Sequence, residues 1–176
     1  MGKTKDLCLV AMMAALIAVC SWISIPAPVP FTMQTFAVFS ALALLGGARG
    51  TAAVGLYLLL GALGLPVFSG FAGGVGVLLG ATGGYLFGFL LIGLCRWLFE
   101  ALGASGLWRA VSLVLGLALC YAFGSAWFLL VYTRASGPLP LLTTLGWCVF
   151  PFILPDLAKL ALALALTGRI KRHLPL

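Results

Sequence analysis

The stretch that decides the fold is Phe150-Pro151-Phe152-Ile153-Leu154-Pro155-Asp156-Leu157-Ala158-Lys159. In a chain that is otherwise almost wholly apolar, it places an acid and a base close together after two prolines. Pro155 suits the first position of a helix, where its missing N–H is no loss. The sequence therefore predicts a helix from Pro155 to about Thr167, with Gly168 as its C-cap. Such a helix spans roughly 20 Å, too short for a hydrocarbon core of about 30 Å, so we expect its N-terminus to open inside the membrane.

Asp156 and Lys159 stand at positions i and i+3, which places them on one face of this helix. Ionisable side chains at membrane depth are expensive and rarely face lipid. The pair therefore predicts a buried polar site that holds a small solute. The alternative is a structural ion pair that locks helices together.

The composition indicates a membrane protein. Of the residues, 64% are hydrophobic and only 7% are charged, with a mean hydropathy of +1.24, whereas about a quarter of the residues of a soluble domain are charged. Long apolar stretches broken by Gly and Pro predict an all-α polytopic membrane protein. We expect residues 1–176 to form a single transmembrane substrate-binding domain.

The distribution of the net charge of +7 predicts the topology. With six spans assigned, Arg134 alone falls on one side and Lys159 lies within the membrane. The other basic residues fall on the opposite side: Lys3, Lys5, Arg49, Arg96, Arg109, Arg169, Lys171 and Arg172. This pattern predicts six transmembrane helices with both termini cytoplasmic. The charge then reflects topology and attraction to anionic membrane lipid, and we expect no nucleic-acid partner.

Small residues and breakers organise the rest of the chain. Ala11, Ala14, Ala15 and Ala18 form a small-residue face on the first span, predicted at 7–25, which suits either a partner helix or packing within the chain. Further spans are predicted at 34–45, 51–63 and 110–132. The segment 64–76 is uncharged and rich in glycine, and at membrane depth such backbone is tolerated only when buried or lining a cavity. We expect it to fold back over a site, with Gly73 and Gly74 close to the solute.

The polar inventory excludes most enzyme chemistry. The only acids are Asp6, Glu100 and Asp156, and the only histidine is His173 in a basic tail. The five cysteines are scattered without a C-x-x-C pair, so neither a metal site nor a cofactor is expected. The isolated Gly2-Lys3-Thr4 is not a P-loop, so we expect this chain not to use ATP itself. No catalytic residues are predicted.

What remains is a binding cavity. Asp156 would accept a hydrogen bond, and Lys159 would supply a cationic donor. The other candidate ligand contacts are hydroxyl, carboxamide and aromatic side chains: Thr32, Gln34, Thr82, Tyr85 and Phe31. A complementary solute has an apolar body, an N–H donor for Asp156 and an anionic end for Lys159.

Four motifs together resemble the BioY family. They are Pro28-Val29-Pro30-Phe31-Thr32-Met33-Gln34-Thr35, Gly64-Leu65-Pro66-Val67-Phe68, Gly83-Gly84-Tyr85-Leu86-Phe87-Gly88-Phe89 and Pro155-Asp156-Leu157-Ala158-Lys159. They cover nearly the whole chain in order, although Ala81 replaces the Pro that often precedes Thr-Gly-Gly-Tyr in this family.

The members of this family are the biotin-binding S-components of bacterial energy-coupling-factor (ECF) transporters. The resemblance implies six helices in the bacterial plasma membrane, with biotin bound near the outer face under loops that close over it. It implies that Asp156 and Lys159 touch the vitamin. It also implies that the alanine face docks on a transmembrane coupling subunit, which works with ATPase subunits.

Two other classes of function fit the same residues. One is an autonomous secondary carrier for a small carboxylate-bearing solute, in which Asp156 couples transport to protons. The other is a structural membrane subunit, in which Asp156 and Lys159 only lock helices together.

Overall fold

The computed structural model describes residues 2–27, 29–103 and 105–173, and helices dominate these ranges. The helices are α1 (Lys3–Trp22), α2 (Gln34–Leu45), α3 (Gly47–Ala62), α4 (Val75–Leu79), α5 (Gly83–Ala101), α6 (Leu107–Ser136), α7 (Leu141–Cys148) and α8 (Phe150–His173). A 3₁₀ turn, Ser69–Phe71, and two short strands, β1 (Ser24–Ile25) and β2 (Phe31–Thr32), complete the fold.

Within the described residues, four helical segments are long and apolar enough to cross a membrane. They are α1, α5, α6 and the segment Leu141–His173, which joins α7 and α8. Helix α2 is apolar but shorter, with 12 residues, and α3 has 16 residues. The chain is thus an all-α membrane protein with several apolar helices. The predicted count of six spans stays a prediction.

The helix that carries the ion pair is longer than predicted. Helix α8 begins at Phe150 and ends at His173, so the predicted start at Pro155 and the predicted C-cap at Gly168 are both wrong. Its 24 residues extend about 36 Å, enough to cross a hydrocarbon core. Pro151 takes the early position where a missing N–H is harmless, and Pro155 lies inside the helix.

The proline-rich segment after α1 forms a small hairpin. Strands β1 and β2 pair antiparallel, with Ser24 opposite Thr32 and Ile25 opposite Phe31. The N–H of Met33 donates to the carbonyl of Ile23, which extends the pairing to the start of α2. The hairpin therefore fixes Thr32 directly before α2.

The glycine-rich segment 64–76 is tied to the end of α1. The hydroxyl of Ser21 donates to the carbonyl of Val67 at 2.6 Å, and the indole N–H of Trp22 donates to the carbonyl of Pro66 at 2.9 Å. Phe68 is fully buried and packs edge-on against Tyr57. The segment thus places a large apolar side chain inside the bundle.

Helices α5 and α6 make the most extensive helix contact of the fold. A Cβ at Gly84 would overlap the side chain of Trp127, and one at Gly88 would lie 2.6 Å from Sγ of Cys120. Both glycines therefore permit close helix approach, which brings Tyr85 and residues of α6 to the same part of the interior.

A matched pair of glycines in α3 tests this dependence on close packing. A Cβ at Gly47 would overlap the Cα of Trp97 in α5, whereas a Cβ at Gly55 would meet nothing within 4 Å. We expect Gly47→Ala to lower the free energy of unfolding by about 1–3 kcal/mol, because the two helices must separate. Gly55→Ala should leave it unchanged or raise it by up to about 1 kcal/mol. Unfolding of the purified protein in detergent measures both, and equal effects would contradict the packing argument.

Candidate substrate-binding site

A cavity of about 130 Å³ lies between α2, α5, α6 and α8. Its apolar wall includes Phe68, Phe89, Leu117 and Phe152. Its polar lining includes Thr32, Gln34, Thr35, Thr82, Tyr85, Tyr121, Asp156 and Lys159. The cavity therefore has the mixed character of a small-molecule site, with a few polar groups set in apolar walls.

Asp156 and Lys159 form a buried ion pair in this cavity. The ammonium Nζ of Lys159 lies 2.9 Å from Oδ1 of Asp156. Lys159 is 7% exposed and Asp156 is 2% exposed. Helical spacing of i and i+3 puts both side chains on one face of α8, as the sequence predicted. That face points into the protein rather than towards its surface.

The remaining contacts of Lys159 come from β2 and from the first turn of α2. Its ammonium donates to the carbonyl of Thr32 at 2.6 Å and to the hydroxyl of Thr35 at 3.2 Å. It also lies 4.3 Å from the ring centroid of Phe31, within cation–π range. An ammonium has three donors, and with Asp156 all three are engaged.

Two hydroxyl groups also hold the carboxylate of Asp156. Thr35 donates to Oδ1 at 2.8 Å, and Tyr121 donates to Oδ2 at 2.6 Å. These contacts connect α8 to α2 and to α6. The carboxylate thus accepts three hydrogen bonds in all, and its two oxygens offer about four lone-pair sites.

Gln34, Tyr85 and Thr82, three of the candidate ligand contacts, also line the cavity. The amide Nε2 of Gln34 donates to the hydroxyl of Tyr57 at 2.8 Å. The hydroxyl of Tyr85 pairs with that of Ser125 at 2.9 Å. The orientation of both side chains is therefore set by a buried partner.

Gly73 and Gly74 are not among the described residues that line the cavity. The N–H of Gly74 donates to the carbonyl of Gly61 at 2.7 Å, and a Cβ at Gly73 would overlap the carbonyl of Leu65. These glycines thus bring this part of the loop close to the end of α3 and to the start of the loop itself. Phe68 and Ser69 of the same loop reach the cavity instead.

Sequence reasoning missed Thr35 and Tyr121 as site residues. Both contact Asp156 directly. The sequence does contain a signal for Thr35. It is a hydroxyl residue in the apolar α2, and it directly follows Gln34, which was predicted as a ligand contact. Tyr121 belongs to α6, and no local spacing connects it to Asp156.

The arrangement can bind a solute that has both an acceptor and a donor. Because all three donors of Lys159 are engaged, an anionic group must displace the Thr32 carbonyl or the Thr35 hydroxyl. Asp156 retains acceptor capacity for one further N–H. An apolar body that carries these two groups would contact the aromatic and aliphatic wall.

The fold and this cavity define the class: a multi-pass α-helical membrane protein with a small internal cavity that has a few polar groups in an apolar wall. The family profile of BioY matches residues 1–176. The chain belongs to the BioY family.

Relatives and a solved structure agree with this assignment. The biotin transporter BioY of Thermotoga maritima is 43% identical over 169 residues, which cover 96% of each chain. The probable biotin transporter BioY of Pyrococcus horikoshii is 37% identical over 172 residues, covering 96% of this chain and 98% of the relative. A crystal structure described as the S-component for biotin from an ECF-type ABC transporter is similar, with a TM-score of 0.83 and 30% identity. That similarity covers 97% of this chain and 92% of the other.

A mutant cycle can test how much the ion pair contributes to the free energy of unfolding of the protein without ligand. Lys159→Met leaves the buried carboxylate of Asp156 without its cation, which should lower the free energy of unfolding by about 3–5 kcal/mol. The double variant Asp156→Asn/Lys159→Met should recover much of that loss, because no buried charge remains. Lys5→Met, at an exposed position, is the control and should change stability by no more than about 0.5 kcal/mol. A single variant as stable as the parent would show that the two charges are not coupled.

Proposed function

We propose that this chain binds biotin and serves as the substrate-specific subunit of an ECF-type importer in the bacterial plasma membrane. The observation that carries the proposal is the Asp156–Lys159 pair, buried at the wall of a cavity that is otherwise largely apolar. Membership of the BioY family and the printed names of its relatives support biotin as the solute.

The chemistry of biotin matches the cavity at both ends. Its valerate carboxylate would take the ammonium of Lys159 in place of the Thr32 carbonyl. A ureido N–H would donate to the remaining acceptor site of Asp156. The sulfur-containing ring and the valerate chain would lie against Phe68 and Phe89, bent so that both polar ends reach the pair, whose charged atoms are 2.9 Å apart. Gln34, Tyr85 and Thr82 remain proposed contacts, each polar and each at the cavity wall.

For the topology we propose six spans, with α2 and α3 joining the four longer segments. Both termini would be cytoplasmic and the cavity would lie near the outer face. The support is the distribution of basic residues, because all except Arg134 and Lys159 fall on one side of this arrangement. The β1–β2 hairpin and the loop 64–76 would then cover the cavity from outside.

Energy for uptake would come from separate subunits. The sequence carries no P-loop, so a coupling subunit and ATPase subunits are proposed as partners. Of the four alanines predicted to dock, Ala14 and Ala18 are buried within the chain, whereas Ala11 and Ala15 are exposed. We therefore restrict the proposed docking face to Ala11 and Ala15.

Biotin analogues separate the roles of the two charged residues. Lys159→Ala should weaken biotin binding about ten- to a hundred-fold, because a charge-assisted hydrogen bond is lost. Biotin amides and esters should lose less, since they lack the carboxylate. Asp156→Asn should weaken every analogue alike, because it turns an amide donor towards the ureido N–H. Equilibrium binding to purified protein measures these affinities.

Two outcomes would contradict this proposal. One is a stable Asp156→Asn/Lys159→Met protein that binds biotin like the parent, because the pair would then be only a helix lock. The other is biotin counterflow that responds to a pH gradient in liposomes containing this chain alone. That result would indicate an autonomous carrier.

The docking face is tested by bulky substitutions on α1. Ala15→Leu should leave biotin binding intact and abolish energised uptake, because a leucine holds a partner helix away. Ala122→Leu, also at an exposed position of a helix, is the matched control and should retain both. Ala14→Leu should instead destabilise the protein, because that residue is only 2% exposed. Normal uptake by Ala15→Leu in cells that express the coupling and ATPase subunits would refute the docking assignment.

A further inference from the structure

A second cavity, of about 200 Å³, lies at the other end of the same helices. Arg96 of α5, Arg109 of α6 and Lys171 of α8 line it, and we call it the basic cavity. Lys171 lies about 18 Å along the helix axis from Lys159. The basic cavity is therefore separate from the candidate biotin site, and its function is an independent question.

Arg96 is the buried centre of the basic cavity. It is only 5% exposed, and its Nε and Nη1 atoms have no hydrogen-bond partner in the part of the chain that the structure describes. Its Nη2 atom lies 3.9 Å from Oε2 of Glu100, which is too far for a hydrogen bond. A buried guanidinium with unused donors is costly, so this side chain is poised for an acceptor.

Glu100 offsets only part of the positive charge around the cavity, through a 3.9 Å ion pair with Arg96. Its carboxylate accepts a hydrogen bond from the N–H of Gly47, at the first residue of α3. Its side chain is 46% exposed, and Glu100 is not among the described residues that line the cavity. Three cationic side chains thus surround a cavity beside one carboxylate, which leaves an excess of positive charge.

The backbone adds to the positive potential. Gly106 lines the cavity and directly precedes α6, whose first turn contains Arg109. The N-terminus of a helix carries a partial positive charge that favours anions. Arg109 and Lys171 are exposed, so the cavity opens to its surroundings on their side.

We propose that the basic cavity binds a phosphate group, with Arg96 as the buried anchor and Arg109 and Lys171 at the opening. Phosphate fits better than a carboxylate, because its oxygens can satisfy a guanidinium fork and further cations at once. The phosphate comes from one of two sources, the head group of an anionic phospholipid or free phosphate in solution.

The test uses the purified full chain in nonionic detergent. Inorganic phosphate is titrated against chloride at equal ionic strength, and thermal unfolding is followed. In parallel, mixed micelles contain phosphatidylglycerol or phosphatidylcholine, which has the same phosphodiester but an added cationic choline. Native mass spectrometry then measures which lipid stays bound. Stabilisation by phosphate indicates the free anion, and selective retention and stabilisation by phosphatidylglycerol indicate the lipid.

Matched variants locate the effect. Arg109→Gln and Lys171→Gln should each weaken binding of the effective probe about tenfold or more, because each removes a charge-assisted contact. Arg169→Gln removes the same charge at the same end of α8 but does not line the cavity, so it should bind the probe like the parent. Biotin binding by all three should be unchanged, which keeps this test separate from the proposed transport function. The proposal is overturned if neither probe stabilises the parent, or if Arg169→Gln weakens binding as much as Lys171→Gln.

Discussion

The structure depends on one buried interaction, the ion pair of Asp156 and Lys159. Moving two charges out of water carries a penalty of several kcal/mol per ion, and mutual attraction offsets it only when further hydrogen bonds complete both groups. Here the completing groups come from other elements: the Thr32 carbonyl in β2, the Thr35 hydroxyl in α2 and the Tyr121 hydroxyl in α6. The pair therefore requires that α2, α6 and α8 meet at one point.

The geometry around α2 meets this requirement. The β1–β2 hairpin fixes the chain immediately before the helix, so the Thr32 carbonyl lies within reach of α8. Gly84 and Gly88 let α5 and α6 approach closely, and Tyr85 and Tyr121 reach the cavity from these helices. Small residues and a short hairpin thus determine where the charged groups can be satisfied.

The sequence predicted local features better than contacts between distant segments. Helix α2 has the predicted bounds, and the shared face of Asp156 and Lys159 follows from helical spacing alone. The predicted helix start at Pro155 was wrong because Pro151 already occupies the early helical position. Which of the two prolines begins the helix depends on where α7 ends, and α7 ends at Cys148. Tyr121 was missed because its contact with Asp156 joins residues far apart in the chain, which no spacing rule reveals. Gly73 and Gly74 were predicted to lie close to the solute because a glycine-rich segment indicates that the backbone packs closely against something. The sequence does not show whether that is a ligand or other backbone, and at Gly73 it is the backbone of Leu65.

The hydrogen bonds of Asp156 show how one pair can both hold helices together and bind an anion. A carboxylate whose only hydrogen-bond partner was Lys159 would be left buried without a partner when the ammonium bound a ligand. Here Thr35 and Tyr121 also donate to Asp156, so two of its three hydrogen bonds are independent of the ammonium. Lys159 can then exchange the neutral Thr32 carbonyl for a solute carboxylate, which is a stronger acceptor because it is charged. The hydroxyl groups that sequence reasoning missed would thus keep the carboxylate satisfied while Lys159 bound the proposed solute.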